Sequence, residues 1–445
     1  MRLGHLSHNK RIGIAAGVSA ALLLAACGAD PTGAPQQPTP AVQWAEVPVA
    51  GQAGYEELAQ SRDVAAAAAW RIALDLNSFH SVQPQEPNQV TSATGLYLVL
   101  AMLGEGVSGE AETELAEYLG LTGTERSESV NLLLRELQYL AGDPAEAGKD
   151  DLPDRALLHI ANHVVVDDKY ELTQEYVDAV MSAYGAQISV TDLNSDSGKN
   201  LLDGWVRENT GGLIPNSAIE PSESLALVLQ NALVMAARWS LPFDTDETWD
   251  RDFTLADGTV IQAESMAQES SFIYAEANGW QAVRLPYRDG MYSDVILPPV
   301  GTATAELDTE THQSLLDALA RNDRITVKVQ LPKVDIQTQV DLVPYLRDRL
   351  PQTSAGGRGA FAKLLKDSAH QDFALSQAAQ SAMLRIDEEG TVAAVVTEMG
   401  YGVTSMPPQA TQEFIVDRPY LFTISEQVTN WPLVVAHIGD PTHNE

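Results

Sequence analysis

The chain has 445 residues, a formal net charge of -34 at pH 7 and one cysteine. So acidic a surface disfavours nucleic acid and polyanions such as heparin as partners, because like charges repel. One cysteine excludes an intrachain disulfide.

At the start, Arg2, Lys10 and Arg11 precede an apolar run from Ile12 to Leu24. That run is short for a membrane span and fits the core of a signal peptide. It ends Leu24-Ala25-Ala26-Cys27-Gly28. Small residues before a cysteine, directly after the apolar run, resemble the bacterial lipoprotein signal. The resemblance implies removal of residues 1–26 and a lipid on Cys27, which tethers the protein to a membrane instead of threading it. The expected location is the cell envelope, on the extracytoplasmic side. Losing the three basic residues leaves the mature chain more acidic still. Residues 27–54 hold Pro31, Pro35, Pro38, Pro40 and Pro48, the composition of a semi-extended tether.

From Tyr55 to Ile438 the sequence is continuously globular. Length alone suggests two domains, yet no second Pro/Gly linker and no internal repeat divides it. Val64 to Asn77 reads as an Ala-rich helix. Gly95 to Leu103 reads as an apolar one, closed by Gly106 and Gly109, and Glu112 to Leu119 begins the next. Ile160 to Val166 is a strand, and Thr173 caps a helix running to Ala183. Leu225 to Ala236 is apolar without alternation, as expected of a strand covered on both faces. Asp257-Gly258 marks a hairpin.

The most informative stretch lies near the C-terminus. Asp387-Glu388-Glu389-Gly390 is followed by seven small or β-branched residues, Thr391-Val392-Ala393-Ala394-Val395-Val396-Thr397. Such residues suit a strand. The run from Glu398 to Gln412, with Gly400, Gly402 and Pro407-Pro408, does not. Order resumes at Phe414-Ile415-Val416-Asp417-Arg418-Pro419-Tyr420-Leu421-Phe422. Residues 391, 393, 395, 397, 399 and 401 would share one face of an extended strand. None of residues 391–396 carries a large or charged side chain.

Glu-Glu-Gly-Thr-x-Ala-Ala-x-x-Thr, a variable run, then Phe-x-x-Asp-Arg-Pro-Tyr-Leu-Phe resembles the hinge and reactive-centre loop of the serpins, inhibitors of serine proteases. Other patches fit in order: Asn231-Ala232 to Arg238-Trp239-Ser240-Leu241-Pro242-Phe243, Trp205-Val206 with Thr210-Gly211-Gly212, Leu285-Pro286-Tyr287, Leu331-Pro332-Lys333 and Pro432-Leu433. The resemblance runs from about residue 60 to 441. It implies one large α+β domain over residues 55–445, three β-sheets with about nine helices around them, and an exposed loop at about 390–413. It also implies suicide inhibition, in which a cut loop inserts as a new strand into the central sheet. Counting along the hinge from Glu388 as the family does places the scissile bond at Thr404-Ser405. A small bait favours an elastase-like or subtilisin-like serine protease. The hinge is residues 388–397, and Trp239 lies where the loop enters. The shutter, where the sheet parts, departs from the family's Ser-Pro-x-Ser, Asn and His. Here the first reads Ser92-Ala93-Thr94-Gly95, and local alignment sets Asp203 for the Asn and Gln380 for the His. The loop is also about four residues longer after Pro408.

The sequence shows no Gly-x-Ser-x-Gly elbow and no His-Glu-x-x-His, and its nine histidines show no metal-ligand spacing. No catalytic group, metal or cofactor is expected, and the protein is expected to be a monomer. A serpin-fold binding protein without inhibitory action is the alternative within the family. An extracytoplasmic solute-binding lipoprotein suits the leader and tether, but has no reason to carry the hinge.

Overall fold

In the computed structural model the described residues are 51–81, 86–149, 151–366, 372–392 and 412–443. The leader, Cys27, the tether up to residue 50 and residues 393–411 of the expected loop lie outside them. The first helix, Gly51–Ser81, brings Ala65, Ala66, Ala68, Ala69 and Ala73 into the interior, with Ile72 and Leu76 beside them. Alanines let neighbouring backbones approach closely, and the longer side chains fill the gaps. The next helix, Ala93–Gly106, is buried along most of its length and starts at Ser92, whose hydroxyl accepts from the Gly95 amide. Thr173 caps Gln174–Tyr184 in the same way, accepting from the Tyr176 amide.

Two large sheets flank this helical core. The six-stranded central sheet runs Val334–Asp341, Ala379–Ile386, Gly390–Thr391, Leu227–Arg238, Leu157–Asp167, Gln187–Thr191. Its pairings are antiparallel except for the last, where Gln187–Thr191 lies parallel to Leu157–Asp167. The second sheet has nine strands. It is continuous because Val260–Ala277 is 18 residues long and takes different partners along its length. Its first half pairs with Trp249–Thr254 across the Asp257-Gly258 turn, and its second half with Trp280–Pro286. Two sheets that the family pattern counts separately are here joined through one strand. The third is a two-stranded ribbon of Gly357–Arg358 and Asp372–Phe373.

One expectation is corrected. Leu227–Arg238 is not covered on both faces along its whole length. Val228, Gln230, Ala232 and Val234 are buried, while Leu227, Leu229, Asn231 and Leu233 alternate with them and stay half-exposed. The half-exposed set lines an open cleft. An apolar run hides its period when one face is closed and the other faces a void.

The helices are cross-braced by charge. Arg126, on Gly123–Glu136, is buried and donates to Glu105 at 2.9 Å. The Tyr184 hydroxyl donates to the same carboxylate at 2.7 Å. Gly104 makes room, since a Cβ there would sit 2.7 Å from the guanidinium carbon. Removing one partner of a buried pair leaves the other charge uncompensated, so Glu105→Ala should lower unfolding stability by about 3–5 kcal/mol. Denaturant titration of the uncleaved protein measures this, and a loss under about 1 kcal/mol would show the pair to be dispensable.

Candidate loop-insertion site

The acidic turn before the hinge is built from three carboxylates with three different partners. Asp387 Oδ1 accepts from the amides of Glu389 and Gly390, at 3.0 and 3.1 Å. Burial pushes this carboxyl up, and those two amide bonds oppose it. Glu388 pairs with Lys333 at 3.2 Å, and Lys333 also reaches Glu264. Burial alone would raise Glu388, but a backbone hydrogen bond, the Thr248 hydroxyl and Lys333 together hold it below the usual carboxylate range. Glu389 pairs with Arg238 at 2.6 Å, and Arg238 also donates to the Leu152 carbonyl.

Directly after the turn, Gly390 and Thr391 enter the central sheet. Thr391 lies opposite Ile386 on one side and Ala237 on the other. Only glycine fits at 390, because a Cβ there would lie 2.2 Å from the Ala237 carbonyl oxygen. Thr391 is buried and its hydroxyl meets that of Tyr287, which also accepts from Ser293 at 2.7 Å. Tyr287 stacks flat on Trp239, centroids 4.2 Å apart. The Trp239 indole N–H donates to the Asp387 carbonyl at 2.9 Å. Trp239 thus closes the entry from beneath. Val392 then turns away with φ of 69°. Left-handed backbone is rare for a β-branched residue and stores strain.

Below Thr391 the described residues place no strand between Leu227–Arg238 and Ala379–Ile386. A cavity of about 900 Å³ lies there, floored by Leu96, Val99, Leu100 and Leu103 of the Ala93–Gly106 helix. Half-way down, Gln380 spans to the chain beside the floor. Its Oε1 accepts from the Ser92 amide at 2.9 Å, and its Nε2 donates to the Ser92 carbonyl at 3.1 Å. Ser92 Oγ donates to the Leu433 carbonyl.

Ser92 and Gln380 therefore meet, and Asp203 does not join them. Asp203 lies on the helix Asp196–Asn209, accepting from the Ser217 amide and pairing with Lys199 at 3.0 Å. The asparagine at the shutter is Asn231, whose Oδ1 would lie 2.6 Å from a Cβ at Gly95. Its Nδ2 donates to Asn162 Oδ1 at 2.8 Å. Residues Ala393, Ala394, Val395, Val396, Thr397, Thr404 and Ser405 fall outside the described residues. Tyr287, Arg238, Lys333 and Asn231 complete the site without having been singled out, although each sits in a patch that matched the family pattern. Among the described residues no group of three His, Cys, Asp or Glu is placed to hold a metal ion, and no helix is long and apolar enough to cross a membrane.

A family profile described as serpin (serine protease inhibitor) matches residues 67–441. The chain belongs to the serpin family. A wheat (Triticum aestivum) protein, Serpin-Z1A, is 24% identical over 388 residues, covering 83% of this chain and 95% of that one. Iripin-3 of Ixodes ricinus is 27% identical, covering 80% and 90%. Among solved structures, human thyroxine-binding globulin in complex with thyroxine aligns with a TM-score of 0.72 at 21% identity, over 87% of this serpin and 100% of that chain. The thermophilic serpin Tengpin in its native state aligns at 0.69 and 22%, over 85% and 94%.

The ion pair at the hinge has a pH signature. Glu388 is held low in the folded protein, so its contribution is present above the ordinary carboxylate value and is lost as pH falls through the folded one. Lys333→Met should lower stability by about 1 kcal/mol at pH 7. The gap to the unmutated protein should narrow as the pH falls below the ordinary carboxylate range and Glu388 takes up its proton. Thermal melts across that range check it, and a pH-independent gap would show that Lys333 acts through packing alone.

Proposed function

We propose that this serpin inhibits extracytoplasmic serine proteases as a suicide substrate. The protease serine attacks the bait carbonyl as it would any substrate. After acylation the loop inserts into the central sheet and carries the protease with it, and the distorted protease cannot deacylate. The chain itself supplies no catalytic group.

The observation that carries this reading is the register of the seated hinge. Thr391 is opposite Ala237 and Ile386. Continuing the same antiparallel ladder brings position 395 opposite Leu233 and Ala382, and position 399 opposite Leu229 and Ala378. Thr397 comes opposite Asn231 and Gln380, the polar pair half-way down. Directly opposed residues share a face of the sheet. The apolar loop positions 395 and 399 thus meet apolar strand positions, and the Thr397 hydroxyl meets the shutter amides. Straightening Val392 into the strand would also relieve its left-handed backbone. The small uncharged bait, with the bond at Thr404-Ser405, favours an elastase-like or subtilisin-like protease. A related protein is named for binding thyroxine, so a carrier role is the alternative, and the small-residue hinge above an unfilled cleft favours inhibition. We further propose that Cys27 carries the lipid anchor, supported by the leader pattern before it.

Mixing the protein with a protease panel tests the inhibitory reading. A denaturant-stable adduct should form, and its released fragment should begin Ser405-Met406-Pro407. A different start would move the bond, and cleavage with no adduct by any serine protease would sink the mechanism. Thr391→Arg should shift the outcome from adduct to plain cleavage, because a guanidinium has no partner at that buried seat.

A single cut within residues 399–406 should raise the unfolding temperature distinctly. Melts before and after cutting measure this. Equal or lower stability after the cut would mean that the loop stays outside the sheet.

A further inference from the structure

The helix Asp196–Asn209 lies over the outer face of the central sheet, and one strand holds it from below at two points. His159 and His163 are four residues apart on Leu157–Asp167, so both side chains leave the same face. His159 Nε2 meets Asn209 Oδ1 at 3.2 Å, at the C-terminal end of the helix. The His163 ring stacks beneath Trp205, with centroids 5.0 Å apart and planes 26° apart. His163 also reaches sideways, with Nδ1 at 3.1 Å from Gln230 Oε1 and Nε2 at 2.9 Å from Ser189 Oγ. A single imidazole therefore joins three strands of the sheet to the helix above them. Val206 of that helix and Thr210 after it line the cleft. The helix thus borders the space that a further strand would occupy.

We propose that His163 is a proton-sensitive pin: taking up a second proton loosens the helix Asp196–Asn209 from the central sheet and lets the cleft open more readily. The neutral ring satisfies its surroundings in one arrangement. Gln230 Nε2 is directed at Ser217 Oγ, so Oε1 faces the imidazole and accepts from Nδ1–H, leaving Nε2 to accept from the Ser189 hydroxyl. His163 is 2% exposed, and burial pushes its proton affinity down to about 4. The groups around it are neutral: Gln230 and Ser189 in the sheet, Trp205 above, and Ser217 beyond Gln230. Asp203 on the helix and Glu220 beyond it both pair with Lys199. The hydrogen bond to Gln230 and the Trp205 face both favour a cation, and burial outweighs them. His159 is not equivalent. It is half-buried, and Asn209 Oδ1 accepts from its Nε2–H whether or not the ring is charged.

With the helix lifted, His163 meets water and returns to an ordinary affinity near 6.5. Opening is then linked to proton uptake, and the open population should grow about thirtyfold between pH 7.5 and pH 5. The pin itself stands on the uncleaved protein, and only its effect on trapping rests on the inhibitory reading. The test is hydrogen exchange of the uncleaved protein at both pH values, corrected for the intrinsic exchange rate. Peptides over 196–209 should show the acceleration, and peptides over 123–136 should not. His163→Gln, neutral at both values, should remove it, and His159→Gln should keep it. No acceleration in the unmutated protein, or full acceleration in His163→Gln, overturns the proposal. Should His163→Gln fail to fold, an NMR titration of the unmutated protein decides instead. A His163 ring titrating at or above 6.5 overturns the pin, and one well below supports it. None of this needs a protease, so an intact acid response without adduct formation would count against inhibition and not against the pin.

Discussion

The top of the central sheet is closed by two residues of backbone. Gly390 and Thr391 complete the ladder between Ala379–Ile386 and Leu227–Arg238, and beneath them the same two strands stand apart over an apolar cavity. Leaving such surface uncovered is unfavourable, because apolar area gains by removal from water. The folded chain thus holds hydrophobic surface unburied, next to the one segment seated to cover it. Trp239 and Tyr287 form the floor under that seat, and Val392 marks where the chain turns out of it.

The charge distribution around the seat shows how a very acidic protein uses its few cations. Asp387, Glu388 and Glu389 are consecutive, and three adjacent carboxylates repel one another. The fold separates their solutions. Asp387 takes backbone amides, Glu388 takes Lys333, and Glu389 takes Arg238. Lys333 sits between Arg324–Pro332 and Val334–Asp341, and Arg238 ends the strand on the opposite flank. The hinge is therefore anchored from both sides of the gap that it bridges.

Local signals in the sequence translated directly into structure. The Thr173 cap, the Asp257-Gly258 hairpin and the strand around Val164 depend on neighbouring residues, and all three form where the pattern places them. The seat of Thr391 was legible because a hinge of small residues is itself a local pattern. The faces of Leu227–Arg238 were not legible, since they depend on whether another strand lies alongside. Nor were the roles of Tyr287 and Lys333, whose partners lie 104 and 55 residues away along the chain. Asp203 and Asn231 could not be told apart by type, as each can accept a hydrogen bond. Only the crossing of strand and helix shows that Asn231 faces Gly95 and that Asp203 serves another contact.

The pairing of Gly95 with Gln380 constrains the order in which this shutter can change. The family pattern has a serine at the position of Gly95 and a histidine at that of Gln380. In this serpin a Cβ at 95 would lie 2.6 Å from Asn231 Oδ1 and 3.4 Å from Gln380 Nε2. Restoring the serine first would meet an oxygen with no room to retreat, because Asn231 is tied on its other side to Asn162. Replacing Gln380 first would forfeit both of its bonds to the Ser92 backbone while the space beside Gly95 stayed open. Either single step passes through a worse-packed intermediate. A serine at 95 is thus barred by Asn231, and Gln380 is held by the Ser92 backbone, so each departure from the family pattern has its own geometric reason.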